Sequence, residues 1–268
     1  MGRPLASASV LLWLCLVATA TAQADGRHVR LRTAHGPIHV WSPADVSADD
    51  AGIVVYIHGY YTTVDRAWSQ HRLAAQFEQS GVNALFVACE APDGPRDPVR
   101  WSSLPALLSE VRRQLGTELP TGRVVVVAHS GGHRTLSRWL GDDTADAVVL
   151  VDAFYGELPH LRDWLARSDD HRLIDAAALT RAWTEPMHAE LTETLVFDAF
   201  PAPEAAQLAG ARDARIVYVR SQHDHMQLVT GGIALPLLLR ASQLPAVREG
   251  ALDAPLLGGS PTLPGGRI

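Results

Sequence analysis

The chain contains no lysine: its 23 basic side chains are all arginines, set against 29 carboxylates for a formal net charge of −6. No basic block occurs anywhere along it, so the electrostatic footprint of a nucleic-acid-binding protein is missing. Cysteine is nearly absent too, with only Cys15 and Cys89 in 268 residues. Long apolar runs are also lacking. The most leader-like of them, VLLWLCLVA from Val10 to Ala18, falls far short of the ~20 residues that a spanning helix needs. It follows Arg3 and precedes small residues up to Ala24, the pattern of a secretory signal peptide over residues 1–24. Leu14 stands where a lipoprotein signal wants a small residue, which argues against a lipid anchor on Cys15. Cleavage after Ala24 predicts a secreted or periplasmic protein with no stable membrane span. Cys89 is then left alone, so packing rather than an intramolecular disulfide must hold the fold.

What remains has the composition of a globular protein, 47% hydrophobic and 19% charged, and is long enough for one large domain, expected over residues 25–249. Residues 250–268 are rich in glycine and proline without periodicity and read as a flexible C-terminal tail. His28 to Thr33 and Pro37 to Trp41 alternate apolar and polar residues around Ala34-His35-Gly36, predicting an N-terminal β-hairpin. Beyond it come short continuous apolar runs: IVVYIH (53–58), NALFVA (83–88), RVVVVA (123–128), DAVVLV (146–151), RLIDAA (172–177) and RIVYVR (215–220). Helical stretches separate them, among them Val64 to Ser80, Leu104 to Leu115 and Arg181 to Leu195. Strands apolar on both faces and alternating with helices predict an α/β fold, a mainly parallel sheet with helices on both faces. In open sheets of this kind sites form beyond the strand ends, where the turn-rich loop EAPDGPRDP (90–98) also lies.

The stretch VVVVAHSGGHR (124–134) runs a buried strand into a serine flanked by small residues. A strand, a sharp turn carrying serine and then a helix make a nucleophile elbow, whose strained backbone and close packing demand small neighbours. Ala128, Gly131 and Gly132 supply them around Ser130. The following helix start and the Gly131 N–H would face a developing oxyanion. A serine capping a helix after a buried strand is the plainer alternative for the pentapeptide alone.

Here the chain resembles the α/β-hydrolases, in particular secreted bacterial esterases and lipases. Ala-His-Ser-Gly-Gly departs from their Gly-x-Ser-x-Gly only in its first residue, and some bacterial lipases are similar in having alanine there. The resemblance implies that His58-Gly59-Tyr60-Tyr61 opens the loop giving the second oxyanion donor, by position the Tyr60 N–H with Tyr61 as the other choice. It implies a base in RSQHDHMQLV, His225 or, failing that, His223. It places the acid at Asp152, just past the strand after the elbow, with Asp175, Asp198, Asp213 and Asp224 as alternatives. Together these elements span residues 53–240 in the chain order Ser, Asp, His.

The expected chemistry is acyl transfer to Ser130 with His225 as base, Asp152 orienting it, and hydrolysis of the acyl-enzyme. No cofactor is expected, and no metal either, although His223-Asp224-His225 is a weak metal-binding alternative. Tyr61, Phe154 and Tyr155 are expected to line an apolar, aromatic substrate wall, and residues 158–173 to form a small cap. The implied substrate is a small-molecule or lipid-like ester; an amide cut by the same triad and a catalytically silent binding protein are the other readings. Cys89 follows a buried strand without elbow context and is not expected to act as a nucleophile.

Overall fold

The computed structural model describes residues 26–47, 50–156 and 158–256. The proposed signal peptide and the last twelve positions of the expected tail lie outside the described residues. A nine-stranded sheet in the order β1-β2-β4-β3-β5-β6-β7-β9-β8 forms the centre of the molecule. The predicted hairpin is β1 (Gly26–Thr33) and β2 (Gly36–Pro43), antiparallel to each other and joined antiparallel to β4 (Ala84–Cys89). All other pairings are parallel, among β3 (Gly52–Ile57), β5 (Val124–His129), β6 (Ala147–Val151), β7 (Arg172–Ala177), β8 (Thr194–Phe197) and β9 (Ile216–Arg220).

The apolar runs become central strands because both faces are covered. Val54 and Tyr56 of β3, with Val125 and Val127 of β5, pack against helices α1 (Val64–Gln70), α2 (Leu73–Ser80) and α8 (Ala234–Arg240). Ile53, Val55 and Ile57, with Val126 and Ala128, face the opposite layer. That layer comprises α3 (Leu104–Leu115), α4 (His133–Trp139), α5 (Leu161–Arg167) and α6 (Arg181–Glu190). The two-residue alternation of the pleat thus sends each valine of a run to one helical layer or the other.

Three local expectations change. The helix expected over 64–80 is two helices, broken where Arg72 takes a left-handed conformation at φ 50°. The helix expected over 181–195 ends at Glu190, shortly after Pro186, and Thr194–Phe197 pairs with β9 as a half-exposed edge strand. Four residues at a sheet margin carry too little hydrophobic pattern to announce themselves. The tail also starts later than expected. Ala251 and Leu256 are buried, the Leu256 N–H donates to the Pro203 carbonyl at 3.1 Å, and Gln207 Nε2 donates to Asp253 Oδ1 at 2.6 Å.

Arg240, only 1% exposed, explains that docking. Its guanidinium donates to the carbonyls of Gln79, Ser80, Ala206 and Ala254, tying α2, a surface loop and the C-terminal segment to α8. Truncation would strand several carbonyls away from water. Arg240→Ala is therefore expected to lower the unfolding free energy by about 3 kcal/mol in urea denaturation; a loss below ~1 kcal/mol would mean that water replaces the guanidinium.

Candidate active site

Strand order sets the location of the site. From β3 the chain moves outward to β4, then crosses back to β5 and continues the other way through β6 and β7. The C-terminal ends of β3 and β5 therefore diverge at a topological switch point, the crevice where open parallel sheets bind ligands. Ser130 sits at the end of β5 and Gly59-Tyr60 just past β3, at that crevice.

Ser130 has φ 50°, left-handed backbone for a residue with a side chain, between β5 and one turn of 3-10 helix leading into α4. The turn is tight enough to require glycine on both sides of the crevice. A Cβ on Gly59 would come within 2.8 Å of the Ser130 Cβ, and one on Gly131 within 2.4 Å of the Tyr60 ring. Ala128, in place of the more usual glycine, is buried beneath α4 without conflict.

Two N–H groups converge beside the serine. Gly131 lies in the first turn after the strand, where amides lack intrahelical acceptors. Of the two tyrosines, Tyr61 has its N–H committed to the Asp93 carbonyl at 2.6 Å, whereas the Tyr60 N–H takes no hydrogen bond among the described residues. The loop is pinned from below: buried His58 donates from Nδ1 to the Gly59 carbonyl at 2.7 Å and accepts the Ala91 N–H on Nε2 at 3.0 Å. Glu90 stands 3.1 Å from that Nε2 and also accepts the Val64 N–H. The role of Glu90 has no signal in the sequence, because it depends on β3 and β4 being neighbours.

Asp152 follows β6 with φ 50° and is fully buried. Its carboxylate accepts the N–H groups of Ala178, Leu179 and Thr180 at 2.8 to 3.0 Å, the Thr180 hydroxyl at 2.7 Å, and His225 Nδ1 at 2.6 Å. Burial opposes the charge, but these hydrogen bonds outweigh it and hold the carboxyl well below its ordinary range. The other candidate acids are engaged elsewhere. Asp175 points from mid-strand to His188 at 3.2 Å, Asp198 pairs with Arg220 at 2.6 Å, and Asp224 caps the N–H groups of Met226 and Gln227. Asp213 sits in a turn closed on the Gly210 carbonyl. His223 packs its ring against Phe200, 5.7 Å between centroids, away from the Asp152 carboxylate.

A cavity of about 570 Å³ joins Ser130, His225, Tyr60, Tyr61 and Tyr155. The Ser130 Oγ is hydrogen-bonded to the Tyr155 hydroxyl at 3.2 Å. Among the described residues no hydrogen bond links Ser130 to His225. Phe154, expected on the wall, is instead 7% exposed and packed in the sheet core, because the chain turns over at Asp152 and consecutive side chains part. The expected short helix is α5, but Leu161, Trp164 and Leu165 bury it against the sheet rather than over the cavity. Leu179, Met226, Arg66, Gln70, His71 and His129 complete the lining and were not anticipated. Cys89 is buried, with its thiol pushed up by burial, and takes no part. No group of three or more metal-ligating side chains occurs among the described residues, the His223–His225 segment included.

No family model matches the chain, and no curated protein matches it. Solved structures do. A feruloyl esterase module from Clostridium thermocellum superposes with TM-score 0.53 and 14% identity over 80% of this chain and 88% of its own. An S-formylglutathione hydrolase from Agrobacterium tumefaciens gives 0.50 and 11% over 83% and 97%. The chain has the α/β-hydrolase fold. Within that fold the elbow serine, the β3 loop and the segment after β9 occupy the crevice described above. No helix among the described residues is long and apolar enough to cross a membrane.

Behind the α/β-hydrolase elbow lies a column of imidazoles. The His129 ring centroid is 4.8 Å from that of His225 and 5.9 Å from that of His71, which bonds the buried Tyr56 hydroxyl at 3.2 Å. Burial, then the neighbouring imidazoles, lowers His129 from 6.5 to about 3; burial and His58 lower His71 from 6.5 to about 4. Both rings stay neutral in the folded protein while the unfolded chain protonates them below pH 6.5. Their contribution is complete above that value and is lost as pH falls toward the folded pKa. Stability in urea should therefore drop by on the order of 3 kcal/mol between pH 7 and pH 4, and by less in His129→Gln. A flat profile for the unsubstituted protein would contradict this.

Proposed function

We propose that the protein is a serine hydrolase that cleaves carboxylic esters through an acyl-enzyme on Ser130. The observation carrying this reading is the Asp152–His225 pair, bonded at 2.6 Å and opening onto the cavity that holds Ser130. A buried carboxylate with four further donors cannot easily be protonated, so it fixes hydrogen on His225 Nδ1 and leaves Nε2 as the basic nitrogen. In the reaction Nε2 takes the Ser130 proton as Oγ attacks the ester carbonyl. The Tyr60 and Gly131 N–H groups receive the oxyanion. The imidazolium then protonates the leaving alcohol, and water repeats the sequence to free the acid.

In the resting site the Ser130 hydroxyl is bonded to Tyr155 rather than to His225. Catalytic hydrogen bonds of this type commonly tighten only with substrate in place. A substrate carbonyl entering between Tyr155 and the β3 loop would displace the tyrosine hydroxyl and turn Oγ toward the imidazole. The mainly apolar lining by Tyr60, Tyr61, Leu179 and Met226 suits an acyl chain or an aryl group. The leader-like sequence at residues 1–24 supports action outside the cytoplasm.

A fluorophosphonate should form a single adduct, located by mass spectrometry on Ser130 and absent from Ser130→Ala. A folded protein that takes no adduct would favour a binding role for the fold. Asp152→Asn should retain the fold yet lose about 10⁴-fold in kcat on a 4-nitrophenyl ester, since the amide no longer enforces the reactive tautomer. A loss under ~10-fold would remove Asp152 from the mechanism.

A further inference from the structure

A second, larger cavity of about 940 Å³ begins on the far side of Tyr155. Tyr155 and His133 line both cavities, so a single layer of side chains separates the second one from Ser130. Its remaining wall comes from Arg134, Arg138, Ser102, Ser137 and Trp183. The Trp183 ring lies 5.9 Å from that of Tyr155 and rests on Gly156, where a Cβ would meet it at 2.7 Å. An aromatic surface therefore continues from the serine into the groove.

The charge of this groove opposes that of the molecule. The chain carries a net −6, yet two guanidiniums line the groove and no carboxylate does among the described residues. Arg134 and Arg138 are four apart on α4, the spacing at which like charges repel on one helix face. Neither forms an ion pair among the described residues, although many of the other arginines do. Arg134 spends one donor on the Gly94 carbonyl at 3.3 Å and keeps the rest, and Arg138 is exposed. His133 donates from Nδ1 to the Ser130 carbonyl at 3.0 Å, and burial lowers its pKa, so it adds a neutral acceptor rather than a third charge. Two uncompensated cations held on one face beside an aromatic strip suit the anionic end of a ligand whose apolar middle crosses Tyr155.

We propose that this groove is a second subsite, and that the preferred substrates are esters bearing a carboxylate or comparable anion at a distance from the scissile bond. The proposal rests on the reading of Ser130 as the nucleophile. It selects among esters by their distal charge, and it distinguishes the two cavities as the places for the reacting and the recognised ends of one molecule.

The test uses two pairs of esters on the purified protein. One pair carries a terminal carboxylate or its methyl ester on the acyl side, the other on the alcohol side, and 4-nitrophenyl acetate serves as the reference in each preparation. At low salt at least one carboxylate ester should exceed its neutral counterpart about tenfold in kcat/KM, mainly through KM. The ratio should fall to about twofold or less in Arg134→Gln/Arg138→Gln, to an intermediate value in Arg138→Gln alone, and likewise near 1 M salt, where screening reaches ~3 Å. Equal turnover of charged and neutral esters by the unsubstituted protein, or a preference that survives the double substitution, would overturn the subsite. Failure to turn over even the acetate would instead overturn the reading of Ser130, and the subsite with it.

Discussion

The Asp152 carboxylate is the point on which the site depends. It follows β6, draws three consecutive N–H groups and a hydroxyl from the loop after β7, and holds the imidazole carried by the segment after β9. Three loops from three adjacent strands thus converge on two oxygen atoms. Without that carboxylate the 178–180 amides would be buried without acceptors, and His225 would have nothing to fix its tautomer. The same group therefore organises the local structure and the chemistry proposed for it.

Around this centre the sheet supplies register and the glycines supply proximity. Parallel pairing of β3 with β5 brings Ile57 level with Ala128, which puts Gly59 against Ser130 and the Tyr60 ring over Gly131. The β3 loop cannot drift, because His58 and Glu90 clamp it to the end of β4. The precision of the crevice comes from buried polar contacts beneath it, while the substrate-facing side chains are free to vary.

Much of this was legible in the sequence. The apolar runs gave the six central strands because burial on both faces leaves an unbroken hydrophobic signature, and the small residues around Ser130 reflect contacts that any elbow must make. Asp152 and His225 were indicated only by resemblance and position. Choosing Asp152 over Asp175 requires knowing that one carboxylate emerges at the strand end while the other is held in mid-strand by His188. Phe154 and Tyr155 are adjacent aromatics that the sequence treats alike, yet one enters the core and the other the cavity. Glu90, the imidazole column and the docking of residues 250–256 by Arg240 all arise from long-range neighbours, and no local pattern encodes them.

Three residues of the crevice, Tyr61, Ser130 and Asp152, hold backbone angles at φ 50° to 62° that glycine would adopt without strain. At Ser130 and Asp152 glycine could supply neither a hydroxyl nor a carboxylate, so the strain is retained where the side chain is indispensable. Selection for stability and selection for reactivity therefore pull in opposite directions at these two positions. A lineage released from the need for chemistry would be expected to relax there first, long before its valine strands or its helices began to change.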